Sequence, residues 1–291
     1  MQVQCKGISL HKVQAKASNY NVCNLWEFDA PADYPARLQE VFTHNWINSL
    51  HPEGYKTLEI PAKYYSLLTD AFRIGNITGC VPGVYASDLH ELAQHLATAH
   101  AHLFENGQHY FVRGEATSLK TGMHGVGPYA NFMTILESIV TCTAQHNVFN
   151  HVSARTKRLT LYFLPWNADL DPDLEFRAFV VHGQLTALSQ QSWFRHSPKL
   201  QALLQHSNVI HDWVEMLQRA LATTVSSICE QLPQFVMDVA FIPDGENWTM
   251  FLIELNPFGA AYSSGSALFH WKRHAALLND ATFCDVRFVQ A

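Results

Sequence analysis

The chain has 291 residues, of which 48% are hydrophobic and 15% charged, and its formal net charge is −6. That size buries a sizeable core, as one large domain or two closely packed ones. The acidic balance argues against a general nucleic-acid binder, although a local basic groove would survive such an average.

Six cysteines (Cys5, Cys23, Cys80, Cys142, Cys229 and Cys284) form no CxxC pair and no regular spacing. Neither a zinc ribbon nor a disulfide framework is indicated, and buried thiols in a reducing compartment are expected. The opening segment Met1-Gln-Val-Gln-Cys-Lys-Gly7 lacks the apolar core of a signal peptide, and no apolar run approaches membrane-spanning length. A cytoplasmic protein without a membrane partner is the expectation.

Residues 1–30 carry only weak signals. Leu38, Val41, Phe42, Trp46 and Leu50 recur at helical spacing and predict a helix over 37–50. A strand over 56–60 leads to Pro61, which suits the first turn of a helix reaching Asp70. A further helix opens at Ser87 as its cap, turns Leu89, Leu92, Leu96 and Leu103 inward, and stops at Asn106-Gly107. A strand over 109–113 enters a Gly-, Ser- and Thr-rich loop from Gly114 to Gly127, and a helix follows over 131–148. The strand 159–164 breaks at Pro165-Trp166-Asn167. Strands over 175–181 and 185–190 form a hairpin turned at His182-Gly183. A helical run over 208–232 precedes two strands, 234–242 and 248–255, joined through Asp244-Gly245. This order is an α+β pattern without regular βαβ alternation.

Two apparent motifs fail. His90-Glu-Leu-Ala-Gln-His95 has one residue too many for a helical zinc pair. Gly114 to Thr121 matches a phosphate loop except for Leu119, where the backbone wrap needs Gly.

Four features carry more weight. Glu254 and Asn256 end an apolar strand two residues apart, so they share a face and offer two hard oxygen donors suited to Mg²⁺. Asp238 is a carboxylate in an otherwise apolar strand, expensive to bury unless it meets a cation or hydrogen bonds. If the last two strands pair, Asp238 falls near Glu254. Arg113 and Lys120 bracket the polar loop and could balance a triphosphate. Arg177 shares a strand face with Glu175 and either pairs with it or reaches a phosphate. Each feature also has a plain reading, as a solvated strand end, an ordinary loop or a simple ion pair.

These segments together resemble an ATP-grasp protein of the cell-division-cycle type, within the ATP-grasp clade named for one arginine and two lysines. The resemblance rests on Val112-Arg113 through Ser118-Leu-Lys120, Leu161-Tyr-Phe-Leu-Pro-Trp166, Glu175-Phe-Arg177-Ala-Phe-Val, Leu188-Ser-Gln190, Asp238, Glu254-Leu-Asn256-Pro257-Phe258 and Ser266-Ala-Leu-Phe-His-Trp271. It implies an ATP-grasp fold of mostly antiparallel sheets flanked by helices. The implied divisions are an N-terminal region over 1–105, a nucleotide-loop subdomain over 106–166 and a metal-bearing subdomain over 167–291. ATP would contact Arg113, Ser118, Lys120, Phe163, Leu164, Trp166 and Arg177. Mg²⁺ would sit on Asp238, Glu254 and Asn256, with Arg177 and Lys120 in catalytic roles.

The chain departs from the family pattern at Arg113 (usually Lys), Glu254 (usually Asp), Leu164-Pro165 (commonly basic) and Gln191 (often Arg). The leading expectation is a ligase that activates a small-molecule or protein carboxylate as an acyl phosphate for attack by an amine. The alternative is a nucleotide-dependent assembly chaperone for a protein client, as the family's eukaryotic members are for a translation initiation factor.

Overall fold

The computed structural model describes residues 2–15, 20–21, 31–52, 54–150, 152, 156–205, 208–262 and 264–291. It falls into two compact units, Met1–Leu50 with Ala168–Ala291, and His51–Asn167. Both are α+β. No helix among the described residues is long and apolar enough to cross a membrane.

The discontinuous unit begins with β1 (Gln2–Ser9), α1 (Leu10–Gln14), α2 (Tyr34–Glu40) and α3 (Thr43–Leu50). It resumes with the hairpin β5 (Glu175–Val181) and β6 (Gln184–Gln190), then α7 (Pro198–Leu204), α8 (Val209–Ala222) and α9 (Ser226–Gln231). The hairpin β7 (Gln234–Asp244) and β8 (Asn247–Pro257), α10 (Ala275–Leu278) and β9 (Phe283–Gln290) complete it. Its six strands lie in the order β1-β9-β6-β5-β7-β8. The hairpin partners and the β5–β7 pair are antiparallel, whereas β9 runs parallel to both β6 and β1.

Each sheet face has its own cover. On one, Phe176 and Phe241 pack on Trp213 of α8, with the Trp213 and Phe241 rings stacked 4.4 Å apart. That helix is amphipathic, and its Ile210, Trp213, Val214, Leu217 and Leu221 are buried. On the other face Phe179, Ala187 and Val236 pack against Phe269, Trp271 and Leu278 from the segment between β8 and β9.

The continuous unit holds β2 (Lys56–Ile60), α4 (Tyr65–Thr78), α5 (Ala86–Ala99), β3 (Tyr110–Arg113), α6 (Phe132–Thr141) and β4 (Leu159–Pro165). Its antiparallel sheet has the order β2-β4-β3. Leu89, Leu92 and Leu96 of α5 join Ile135, Leu136 and Ile139 of α6 and Leu161 and Phe163 of β4 in one core.

Several predicted helices are shorter or divided. The helix over 37–50 is two, α2 and α3. The Asn45 side chain donates to the Gln39 and Glu40 carbonyls and caps α2, while Trp46 Nε1 takes the Val41 carbonyl. The helix from Pro61 is a short 3₁₀ turn, Ala62–Tyr64, followed by α4, which ends at left-handed Gly79. Ser87 lies inside α5, which has no side-chain cap, and α5 stops at Ala99 with two 3₁₀ turns before Gln108. The helix over 131–148 is α6, capped by the Asn131 side chain, and the chain turns extended at Cys142, short of Val148. The run over 208–232 divides at Thr223–Val225 into α8 and α9. Neither end of the chain carries a strand signal in its sequence, yet β1 and β9 pair there in parallel.

Candidate functional site

The feature that organises the six-stranded sheet is a row of polar residues lying directly opposite one another across every strand. Lys6 faces Arg287, Arg287 faces Ser189, Ser189 faces Arg177, Arg177 faces Asp238 and Asp238 faces Glu254. Cross-strand partners share a face, so all six side chains project to the side covered by Phe269 and Trp271.

The last step of the row depends on one irregularity. Asp244 lies opposite Asn247 across a turn that uses Gly245 at a φ of 61°. Counted back from there, an unbroken ladder would set Asp238 opposite Ile253 and send Glu254 to the other face. Instead a β-bulge between Val239 and Asp238 absorbs one residue of β8, so Asp238 meets Glu254 and Val236 meets Asn256. The same shift lets Leu252 and Leu255 both stay buried.

Arg177 and Asp238 form a bidentate pair, with Nε to Oδ1 at 2.8 Å and Nη2 to Oδ2 at 2.7 Å, and both residues are buried. Burial pushes the Arg177 guanidinium down, but the charge and hydrogen bonds of Asp238, with Glu254 behind it, hold it above its ordinary range. Its remaining fork arm donates to the Gly265 carbonyl at 2.7 Å. Gln191 Nε2 and Asn256 Nδ2 each lie 3.4 Å from Asp238 Oδ2, and Asn256 Nδ2 is also 3.4 Å from Glu254 Oε1. The cluster therefore holds two carboxylates against one guanidinium.

A divalent cation fits this donor set. Mg²⁺ commonly takes one or two protein carboxylates and completes its shell with water or phosphate oxygens. Among the described residues no group of three or more His, Cys, Asp or Glu side chains could hold a metal. A cation here would thus rest on Asp238, Glu254 and the Asn256 oxygen. Asn256 points its amide nitrogen at both carboxylates, so ligation through its oxygen requires the amide to turn over.

In the other unit, Arg113 ends β3 opposite Tyr162 and bridges to Ser118 across a tight turn. The Gly114 N–H donates to the Thr117 carbonyl at 2.8 Å, and Glu115 accepts from the Tyr162 hydroxyl at 2.7 Å. Burial, then Glu115, pushes that hydroxyl far above its ordinary range. Arg113 and Ser118 are buried and Lys120 is exposed. The loop from Gly114 to Gly127 is not the open, polar segment that its composition predicts. Leu119 is fully buried, Met123 N–H donates to Thr141 Oγ1, and Gly122 sits so close to Ser138 that an added Cβ would meet its backbone at 2.5 Å. Phe163 lies in an aromatic cluster with Phe104, Tyr110 and Phe132, and Leu164 is buried beside it. Trp166 is half-buried, and the chain passes between units directly after Asn167. Ring contacts from Phe163 to a ligand are blocked by its neighbours, which leaves the main chain after β4.

The structure thus brings Arg177, Asp238, Glu254 and Asn256 together in one unit and sets Arg113, Ser118 and Lys120 along one turn of the other. Glu175 is not the partner of Arg177. It faces Ala240 instead, because Arg177 is aligned with Asp238. Sequence reasoning did not find Gln191 or the Gly265 carbonyl as members of the cluster, nor the second buried pair, Arg287 with Asp285 at 2.8 Å. An Asp and an Arg two apart in an apolar stretch was the available signal for that pair.

Comparison with known proteins supplies a relationship. The D123 family model matches residues 135–291, which include the whole Arg177–Asp238–Glu254–Asn256 cluster. Two solved structures from Schizosaccharomyces pombe share the fold, C-terminally truncated Cdc123 and Cdc123. The first has a TM-score of 0.61 at 15% identity and the second 0.58 at 18%, each over 88% of this chain and 98% of the other. No curated protein sequence matches the chain.

Proposed function

Since the chain belongs to the D123 family, we propose that it is a nucleotide-dependent assembly protein, which binds Mg·ATP through an ATP-grasp fold of the arginine-and-two-lysine clade and acts on a protein client of the translation-factor type. The observation that carries this reading is the alignment of Arg177, Asp238, Glu254 and Asn256 across three adjacent strands. Mg²⁺ on Asp238, Glu254 and Asn256 would neutralise phosphate charge and orient the nucleotide. Arg113, Ser118, Lys120 and Arg177 would supply further phosphate contacts, and the main chain after β4, at Trp166, would meet the base with Phe163 and Leu164 packed behind it. A cytoplasmic location belongs to the same proposal.

The ligase expectation gives way to the assembly reading. Family membership favours a client protein.

Calorimetric titration with ATP, with and without Mg²⁺, tests the proposal. Metal-dependent binding that disappears in Glu254→Ala, with no ADP released, is the expected result. Rapid ADP release in the presence of a carboxylate and an amine would restore the ligase. Wild-type binding that ignores Mg²⁺, or survives Glu254→Ala intact, would remove the site assignment.

A further inference from the structure

The polar row that ends in two carboxylates, on β7 and β8, begins with two cations, on β1 and β9. Lys6 is exposed, and Arg287 opposite it is 3% exposed. Arg287 stacks 4.1 Å from the Phe269 ring centroid, donates Nη1 to the Leu268 carbonyl at 3.2 Å, and brings that nitrogen within 3.3 and 3.4 Å of the His274 ring nitrogens. His274 Nδ1 accepts the His270 N–H at 2.9 Å, and His270 Nδ1 accepts the N–H groups of Lys272 and Arg273 at 3.2 and 3.3 Å. One turn therefore gathers His270, exposed Lys272 and Arg273, and His274 beside Arg287 and Lys6.

Acidic charge is scarce here. The first acidic residue of the chain is Glu27, and none occurs between Glu254 and Asp280. Asp285 does meet the cluster, but it is buried and bound by Arg287. The local potential is positive in a protein whose net charge is −6. Burial, followed by Arg287, His270 and Lys6, accordingly holds His274 down to about 4 against the opposing pull of Asp285.

Strand β1 stands at the end of the sheet and pairs on one side only, with β9, among the described residues. Its outer edge is a main-chain template for another strand. We propose that this edge is a docking site for an extended, acidic peptide segment of a partner protein, which adds a strand beside β1 and sets alternate carboxylates against Lys6 and the 270–274 turn. A strand's repeat of two matches such alternation. A single edge lysine is an ordinary guard against self-pairing, but the buried Arg287 and the turn behind it exceed that need. A nucleic acid would find no edge complementarity and would meet the acidic remainder of the surface.

The test uses the full chain without nucleotide, so its outcome is separate from that of the ATP reading. A fluorescein-labelled peptide of alternating Glu and Val is titrated by anisotropy, with the His274 ring followed by NMR. Binding is expected, weakened about tenfold or more by Lys6→Glu and by the exposed double variant Lys272→Glu/Arg273→Glu. Peptide binding should raise the His274 pKa, and N-methylation of alternate peptide amides should abolish binding. Absent binding, unchanged affinity in both charge variants, or an N-methylated peptide that binds as well would overturn the proposal. So would an oligothymidine that binds more tightly than the peptide, which would mark a polyanion site.

Discussion

Replacing Arg177 by Met removes a guanidinium that is 8% exposed and makes three short hydrogen bonds, two to Asp238 and one to the Gly265 carbonyl. Asp238 is then left buried opposite Glu254 with no counter-charge on β5. Breaking a buried ion pair from one side costs about 3–5 kcal/mol, because the surviving charge is uncompensated. At about 2–4 °C per kcal/mol for a large domain, Tm falls by roughly 6–20 °C. Replacing both partners, as Arg177→Met/Asp238→Leu, removes the stranded charge and should recover most of the loss. Urea unfolding of wild type, both single variants and the double variant, followed by tryptophan fluorescence, gives the coupling energy directly. If Mg²⁺ occupies the two carboxylates, it should stabilise Arg177→Met more than wild type, since it supplies the missing positive charge. A single variant that loses less than about 1 kcal/mol, the range of an exposed pair, would refute the reasoning. A double variant as damaged as the sum of the singles would refute it too.

Deleting Ile253 removes the extra residue of the bulge and leaves Asp238 opposite Glu254 in an unbroken ladder; Mg²⁺-dependent ATP binding is expected to survive, and its loss would show that register alone does not set the site. Trp213→Ala opens a cavity between α8 and the sheet, where Trp213 stacks on Phe241, and should cost about 3–5 kcal/mol by urea unfolding. Gly75→Ala would bring a methyl to 2.2 Å from the Val140 carbonyl, so the α4–α6 contact must open and Tm must fall. His274 has a folded pKa of about 4 against an ordinary 6.5, so the unfolded chain binds a proton that the folded one declines. Its contribution is complete above about pH 6.5 and is lost as pH falls toward 4. The full shift corresponds to about 3 kcal/mol, reduced to about 1–2 for a ring partly open to solvent. His274→Gln should flatten the stability profile between pH 7 and pH 5, and parallel profiles would exclude the ring as the titrating group.

What could be read from the sequence is what local rules control. Period two put Glu254 and Asn256 on one face, and the Gly245 turn announced the hairpin that brings Asp238 close to them. The β5–β6 hairpin and the strand over 56–60 likewise follow from neighbouring residues. Helix ends were less legible, because contacts such as the Asn45 and Trp46 side chains on the end of α2 decide where a helix stops.

The tertiary structure alone decided three things. Arg177 has Glu175 as its near neighbour in sequence but pairs with Asp238, because β7 is the strand that lies beside β5. The bulge in β8 has no composition signal, since burying both Leu252 and Leu255 is what requires one extra residue. The polar row reaches from Glu254 to Lys6 only because β9 carries the end of the chain back between β6 and β1. Periodicity and turn chemistry act over a few residues, whereas the order of strands in a sheet is settled by burial across the whole chain.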